Sequence, residues 1–137
     1  GYTPFDGAEY DYYTTTKGVL EKVKAHVGDV DFAVQPEILS LLSSGNFGRY
    51  ADEKGEMKVC FISNNDITGG NSGSAMFNSK GELLGLAFDG NWEAMGSDIL
   101  YEPKMQRTIG VDVRYILFMI EKYGKAGNLI QELNILN

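Results

Sequence analysis

The sequence predicts a mainly β fold closed by a C-terminal helix, and three observations carry that expectation. Short runs rich in Val, Ile, Leu and Phe (residues 57–62, 75–77, 82–88 and 107–111) are separated by turn-forming Gly, Asn, Asp and Ser. Glycine is dense, 17 of 137 residues, and gathers between Gly69 and Gly96, where the backbone must turn tightly or approach something closely. After Asp112 the apolar spacing settles to a helical period, with Val113, Ile116, Leu117 and Ile120 on one face.

In chain order, residues 10–24 are rich in Tyr, Thr and Val, with residues 19–24 in near alternation, and the whole of 10–24 reads as an extended strand or pair. The competing reading is an amphipathic helix from Lys17 to His26. Residues 36–45 form a short helix with Pro36 in its first turn, Gly45 at its end, and Ile38, Leu41 and Leu42 on one face. A turn at residues 52–55 leads into the strand at 57–62, which is followed by a polar loop at 63–74. Residues 75–77, a turn at 78–81 and residues 82–88 make a hairpin. A second irregular segment spans 89–104 before the last strand at 107–111. Asp112 is placed to cap the closing helix, where Tyr115, Phe118 and Met119 make the surface apolar nearly all round, so it is buried or packs on a partner. Residues 128–131 resemble a capping box for a terminal turn.

Composition removes several functional classes. With 43% hydrophobic and 12% aromatic residues the chain is not a disordered acidic tail. No run of about 18 apolar residues is long enough to span a membrane. A formal charge of -7 argues against nucleic acid, whose phosphates call for clustered Lys and Arg. One cysteine, Cys60, excludes an internal disulfide and a multi-cysteine zinc site, and one histidine, His26, leaves little for a His-rich metal centre. No metal and no cofactor is expected. The chain starts at Gly1 without the charged and apolar regions of a signal peptide, and is expected to be a piece cut from something longer.

The segment that carries chemistry is Asp66-Ile67-Thr68-Gly69-Gly70-Asn71-Ser72-Gly73-Ser74. An EF-hand fails because the twelfth loop position is Ala75 rather than a bidentate Glu. A phosphate loop fails because no Gly-Lys-Ser/Thr follows. A nucleophile reading survives. Ser72 lies between Gly70 and Gly73, so little bulk shields its hydroxyl, and a bend around Gly70 can turn the N–H groups of Gly70 and Ser72 toward one point as an oxyanion hole. The elbow of α/β-hydrolases is disfavoured, since Ser74 stands where Gly is wanted and a strand follows where a helix is wanted. A serine turn followed by a hairpin suits the β-barrel serine peptidases instead.

These residues resemble the serine loop of chymotrypsin-fold peptidases, glutamyl endopeptidases and the bacterial S46 dipeptidyl-peptidases (the dipeptidyl-peptidase 7/11 family) above all. Residues 81–93, then 107–109 and 111–117, are similar to the S46 pattern, and the likeness runs from about Tyr12 to the end. The resemblance implies the C-terminal β-barrel of a trypsin-like enzyme with a closing helix. It implies that Ser72 is the nucleophile, that the amides of Gly70 and Ser72 form the oxyanion hole, and that Asp89 holds the free α-amine of a peptide. It places Gly90 where an Arg would pair with an acidic P1 side chain. Glycine there leaves an open, uncharged pocket for hydrophobic P1 residues, like the dipeptidyl-peptidase 7 type. Ala75 departs from the usual Pro and preserves the strand start. The resemblance further implies peptide substrates, a homodimer in the full-length enzyme, and a periplasmic or cell-surface location in a Gram-negative bacterium.

A serine needs a base, and a His oriented by an Asp is the usual one. His26 precedes Ser72 in the chain, with Asp29, Asp31, Asp52 and Asp66 between them, but it lacks the family's histidine context. It is expected to be an ordinary surface or hairpin-end residue. The catalytic His and Asp are then expected upstream, on an N-terminal barrel outside residues 1–137, and the chain alone should be inactive. Among the other notable residues, Asp89 could be a plain turn acid, Trp92 a core plug or a subsite wall, Cys60 an inert buried thiol, and Arg114 a partner for Asp112 or a nearby acid. The alternatives to a dipeptidyl-peptidase are a glutamyl-endopeptidase-like protease and a non-catalytic binding module that keeps the serine loop as a relic.

Overall fold

The computed structural model describes residues 11–96 and 104–136. The chain divides into two compact units, one made of Gly1–Thr14 with Val59–Val113 and the other of Thr15–Lys58 with Arg114–Asn137.

The first unit is built on a five-stranded sheet with the order β1-β2-β5-β4-β3. Its strands are β1 (Tyr13–Thr15), β2 (Lys58–Ser63), β3 (Ala75–Phe77), β4 (Leu83–Gly90) and β5 (Thr108–Asp112). The pairs β2–β5, β4–β5 and β3–β4 are antiparallel. The expected hairpin forms around Asn78. Its Oδ1 accepts the N–H groups of Lys80 and Glu82 at 2.9 and 3.0 Å, and its own N–H donates to Glu82 O at 3.0 Å. An Asn whose side chain satisfies the turn's amides is the local reason the chain reverses there.

The buried side of this sheet is packed around small residues. A Cβ on Gly110 would lie 2.6 Å from Met76 Sδ and 2.9 Å from Phe61 Cζ, and one on Gly85 would lie 2.1 Å from Val111 O. Glycine at these points lets the Phe61 ring and the neighbouring strand come close to the backbone. Met76, Ala87 and Thr108 are buried alongside.

The second unit is helical. It contains α1 (Thr16–Ala25), α2 (Pro36–Ser43), most of α3 (Val113–Phe118), a π-helical turn (Met119–Tyr123) and α4 (Gly127–Gln131), with 3-10 turns at Val30–Phe32 and Gly48–Tyr50. Leu42, Phe47, Tyr50, Met57, Phe118 and Ile130 form its core. Phe118 meets the rings of Phe47 and Tyr50 edge to face, with centroids 5.7 and 6.1 Å apart. Tyr50 Oη donates to Glu121 Oε2 at 2.5 Å, and Tyr123 Oη donates to Gln35 Oε1.

Three expectations need correction. The mainly β reading holds for the first unit and not the second. Residues 16–25 are helix rather than strand, because Thr16, Val19, Leu20 and Val23 lie at 3, 4 and 7 residue spacings that a helix gathers on one side. Alternation over residues 19–24 shares Val19 and Val23 with that pattern, so the shorter window was ambiguous. Asn128 is not a cap: it lies inside α4, whose N-cap is Ala126 with no side-chain capping bond. The helix expected at 36–45 forms over Pro36–Ser43, and the strands expected at 57–62, 75–77 and 82–88 form over Lys58–Ser63, Ala75–Phe77 and Leu83–Gly90. Of the irregular segment at 89–104, residues 97–103 lie outside the described residues; Asp89 and Gly90 still belong to β4, and Trp92–Gly96 is a 3-10 turn.

Candidate active site

The serine loop links β2 to β3 in the first unit. Its start is held by Thr108 on β5, buried, whose hydroxyl donates to Asn65 O at 2.7 Å. Asn71 then closes a ring with Thr68. Its N–H donates to Thr68 O at 3.2 Å and its Oδ1 accepts the Thr68 N–H at 2.9 Å. Gly69 and Gly70 form the turn inside that ring, and Gly70 has φ +94° and Gly73 φ +89°, a region that disfavours any side chain. Beyond the turn the loop zips onto β4: Gly73 N–H donates to Ala87 O at 2.7 Å and Ala87 N–H to Ser74 O at 2.8 Å.

This pattern spends the amides of Asn71 and Ser74 within the loop and that of Gly73 on β4. Among the described residues the N–H groups of Gly70 and Ser72 have no hydrogen-bond acceptor, and both residues are exposed. Two amides without an acceptor and an exposed hydroxyl thus lie within three residues of one loop.

Ser72 Oγ donates to Phe88 O at 3.2 Å. That carbonyl is available because β4 bulges. The β4–β5 register passes from Ala87↔Gly110 directly to Asp89↔Ile109, leaving Phe88 without a partner. A bulge puts one extra residue into a strand and re-aims its groups, here toward the serine. The sequence signal was slight, since nothing in Leu86-Ala87-Phe88-Asp89 departs from strand composition.

Asp89 and Gly90 follow the bulge at the end of β4, so the structure brings them to the same end of the sheet as Ser72. Asp89 is exposed, and its Oδ1 accepts the N–H of Gly90 at 2.7 Å. Trp92, one turn further, is 81% exposed and is no core plug. Asn91 is the residue sequence reasoning passed over. It is buried, and it ties the Trp92–Gly96 turn to the start of β5 through Arg107 and Met105. A lone Asn in an irregular glycine-rich segment carries no periodicity that would single it out.

His26 lies in the second unit at the end of α1, not at a hairpin end. Its Nδ1–H donates to Lys22 O at 2.9 Å and its ring stacks on Phe32 with centroids 3.9 Å apart. Cys60 is half-buried on β2. Burial, opposed by a hydrogen bond with the Thr14 side chain, pushes its thiol above the ordinary range. Among the described residues no group of three or more His, Cys, Asp or Glu is arranged to hold a metal ion. Among them, too, no helix is long and apolar enough to cross a membrane.

An antiparallel sheet carrying a glycine-flanked serine loop defines a broad class of β proteins. Comparison narrows that class: the sequence model of the peptidase S46 family matches residues 1–135, and the chain belongs to that family. It is 61% identical over 135 residues to dipeptidyl-peptidase 7 of Porphyromonas endodontalis, covering 98% of this chain and 16% of that protein. It is 45% identical over 136 residues to the Asp/Glu-specific dipeptidyl-peptidase of Capnocytophaga gingivalis, covering 99% of this chain and 19% of that protein. Among solved structures, Porphyromonas endodontalis DPP11 in complex with the dipeptide Arg-Glu matches with a TM-score of 0.89 and 43% identity, over 96% of this chain and 19% of that one. The chain thus spans less than a fifth of the length of these relatives.

Proposed function

We propose that this chain is the serine-bearing part of a larger peptidase that releases dipeptides from peptide N-termini. The observation that carries the reading is the pair of unspent amides at Gly70 and Ser72 beside the exposed Ser72 hydroxyl. In this reading Ser72 Oγ attacks the carbonyl carbon of the second peptide bond. Its proton passes to a base and then to the leaving amine, and the dipeptidyl ester on Ser72 is hydrolysed by water. The Gly70 and Ser72 N–H groups hold the negative oxygen of the tetrahedral intermediate, where each donor is worth about 3–4 kcal/mol in comparable sites. Asp89, an exposed carboxylate at the end of the same strand, pairs with the substrate's free α-amine and so measures two residues from the N-terminus. Gly90 adds no charge, which favours an apolar P1 side chain.

The base and its orienting carboxylate come from the rest of the larger polypeptide. Ser72 hydrogen-bonds to a carbonyl, and the single histidine is engaged at the end of α1. The sheet of the first unit would then be part of a chymotrypsin-like barrel. A homodimer in a periplasmic or cell-surface setting remains part of the same proposal.

The test uses the full polypeptide with dipeptidyl reporters carrying an apolar P1 residue. Hydrolysis should require a free substrate amine, and Ser72→Ala should lower kcat by at least about 10⁴-fold. Hydrolysis of N-terminally blocked substrates at equal rates would point to an endopeptidase. Failure of Ser72 to react with a fluorophosphonate would point to a binding module.

A further inference from the structure

We infer that Ala94 is a second specificity-determining residue, which decides together with residue 90 whether a side chain can enter the P1 pocket from the end of β4. The inference rests on the proposed peptidase reading for its link to substrate, and on steric geometry alone for the link between positions 90 and 94.

Position 90 is not simply open. A Cβ built on Gly90 would lie 2.9 Å from Ala94 Cβ, 3.6 Å from Ile67 Cγ2 and 3.9 Å from Arg107 O. Ordinary carbon contacts begin near 3.5 Å, so the first of these is a collision and the second is a touch. Gly90 is unlike Gly70 and Gly73, because its φ lies outside the left-handed region. Alanine or arginine could adopt its backbone conformation without strain. The obstacle is one methyl group.

That methyl cannot swing aside. An alanine side chain has no rotamer to change, so relief requires the Trp92–Gly96 turn to move, and Asn91 holds the turn in place. Asn91 N–H donates to Arg107 O at 2.9 Å and Asn91 Oδ1 accepts the Arg107 N–H at 2.8 Å. Asn91 Nδ2 donates to Met105 O at 2.8 Å and to Glu93 Oε2 at 2.7 Å, while the Ala94 N–H donates to Asn91 O at 2.9 Å. Both Asn91 and Ala94 are buried, so moving the turn would break these bonds away from water. Glycine at 90 and alanine at 94 are therefore a matched pair. With this pair, an incoming apolar side chain meets the methyls of Ile67 and Ala94. A cationic side chain at 90, which would pair with an acidic P1 group, needs glycine at 94 to leave the backbone undistorted.

Two measurements test this in the full polypeptide. The first is activity toward dipeptidyl reporters with Leu or Glu at P1, for wild type, Gly90→Arg, Ala94→Gly and the double variant. Gly90→Arg alone should lose activity on Leu without gaining it on Glu. Gly90→Arg with Ala94→Gly should hydrolyse the Glu reporter at least tenfold better than Gly90→Arg. If Gly90→Arg alone matches the double variant on Glu, Ala94 is not a determinant. The second is thermal unfolding of Gly90→Ala, Ala94→Gly and their combination, which reads the contact without catalysis. Gly90→Ala should lower the unfolding temperature, and adding Ala94→Gly should restore most of the loss. An unchanged temperature for Gly90→Ala, or no rescue, overturns the proposal. If the wild type hydrolyses neither reporter, the peptidase reading fails, and the unfolding cycle still decides the coupling of 90 and 94.

Discussion

Replacing Tyr50 by Phe removes a single oxygen from a side chain that is 2% exposed and leaves its ring to pack against Phe118 as before. The oxygen donates to Glu121 at 2.5 Å and ties the Gly48–Tyr50 turn to the π-helical turn. Burial first, then the hydrogen bond to Glu121, push the phenol from 10.0 up to about 12, while the same bond pulls the Glu121 carboxyl below its ordinary value. Because burial rather than the bond is the larger cause of that rise, the bond is assigned the worth of an ordinary buried hydrogen bond, about 1–1.5 kcal/mol. Glu121 also keeps Lys122 Nζ on Oε1 at 2.9 Å, so deletion leaves no unpaired buried charge. Tyr50→Phe should therefore cost about 1–1.5 kcal/mol at pH 7, read by urea unfolding of the helical unit. The sign follows from linkage. The lowered Glu121 contributes fully above its ordinary value near 4.5 and loses that contribution as pH falls through its lower folded value. The raised Tyr50 contributes fully below pH 10 and loses its share as pH rises through about 12. The cost of the substitution should shrink to less than half in strong acid, where Glu121 is neutral. An equal cost at both pH values would refute the reasoning, because the hydroxyl would then act through packing rather than through an ionised partner.

Gly110→Ala should destabilise the sheet by about 1–3 kcal/mol in thermal unfolding, because the new methyl meets Met76 Sδ and Phe61. Under the proposed reading, Gly70→Ala in the full polypeptide should lower kcat by about 10²-fold with little change in KM, since the φ of +94° strains any side chain and would turn the Gly70 amide away from the oxyanion. Cys60 should react with a maleimide near neutral pH at least about tenfold more slowly than a free thiol and should speed up in urea, because burial raises its thiol.

Local sequence made much of the site legible. Gly70 and Gly73 around Ser72 announced a turn that only glycine accepts, and the Asn78 turn announced the hairpin that follows. The strand at 58–63 and the helix at 36–43 were readable because short-range pattern and burial agree there. The first helix was not, because a window containing Val19 and Val23 fits two periods, and only Thr16, buried and donating its N–H to Met57 O, fixes the longer one.

The sequence alone determined which side chains are available to this chain: a serine in a glycine turn, an acid and a glycine at a strand end, and a single histidine. Those are matters of residue type and adjacent spacing. Tertiary structure decided which groups face one another. The bulge that turns the Phe88 carbonyl to Ser72 depends on the β4–β5 register. The loop bonds that leave the Gly70 and Ser72 amides unspent depend on Ala87 across the strands. The Asn91 bonds to Met105 and Arg107 depend on a segment 14–16 residues away in the chain. Backbone pairing between distant segments is set by the energy of the whole sheet, and no local window of residues encodes it.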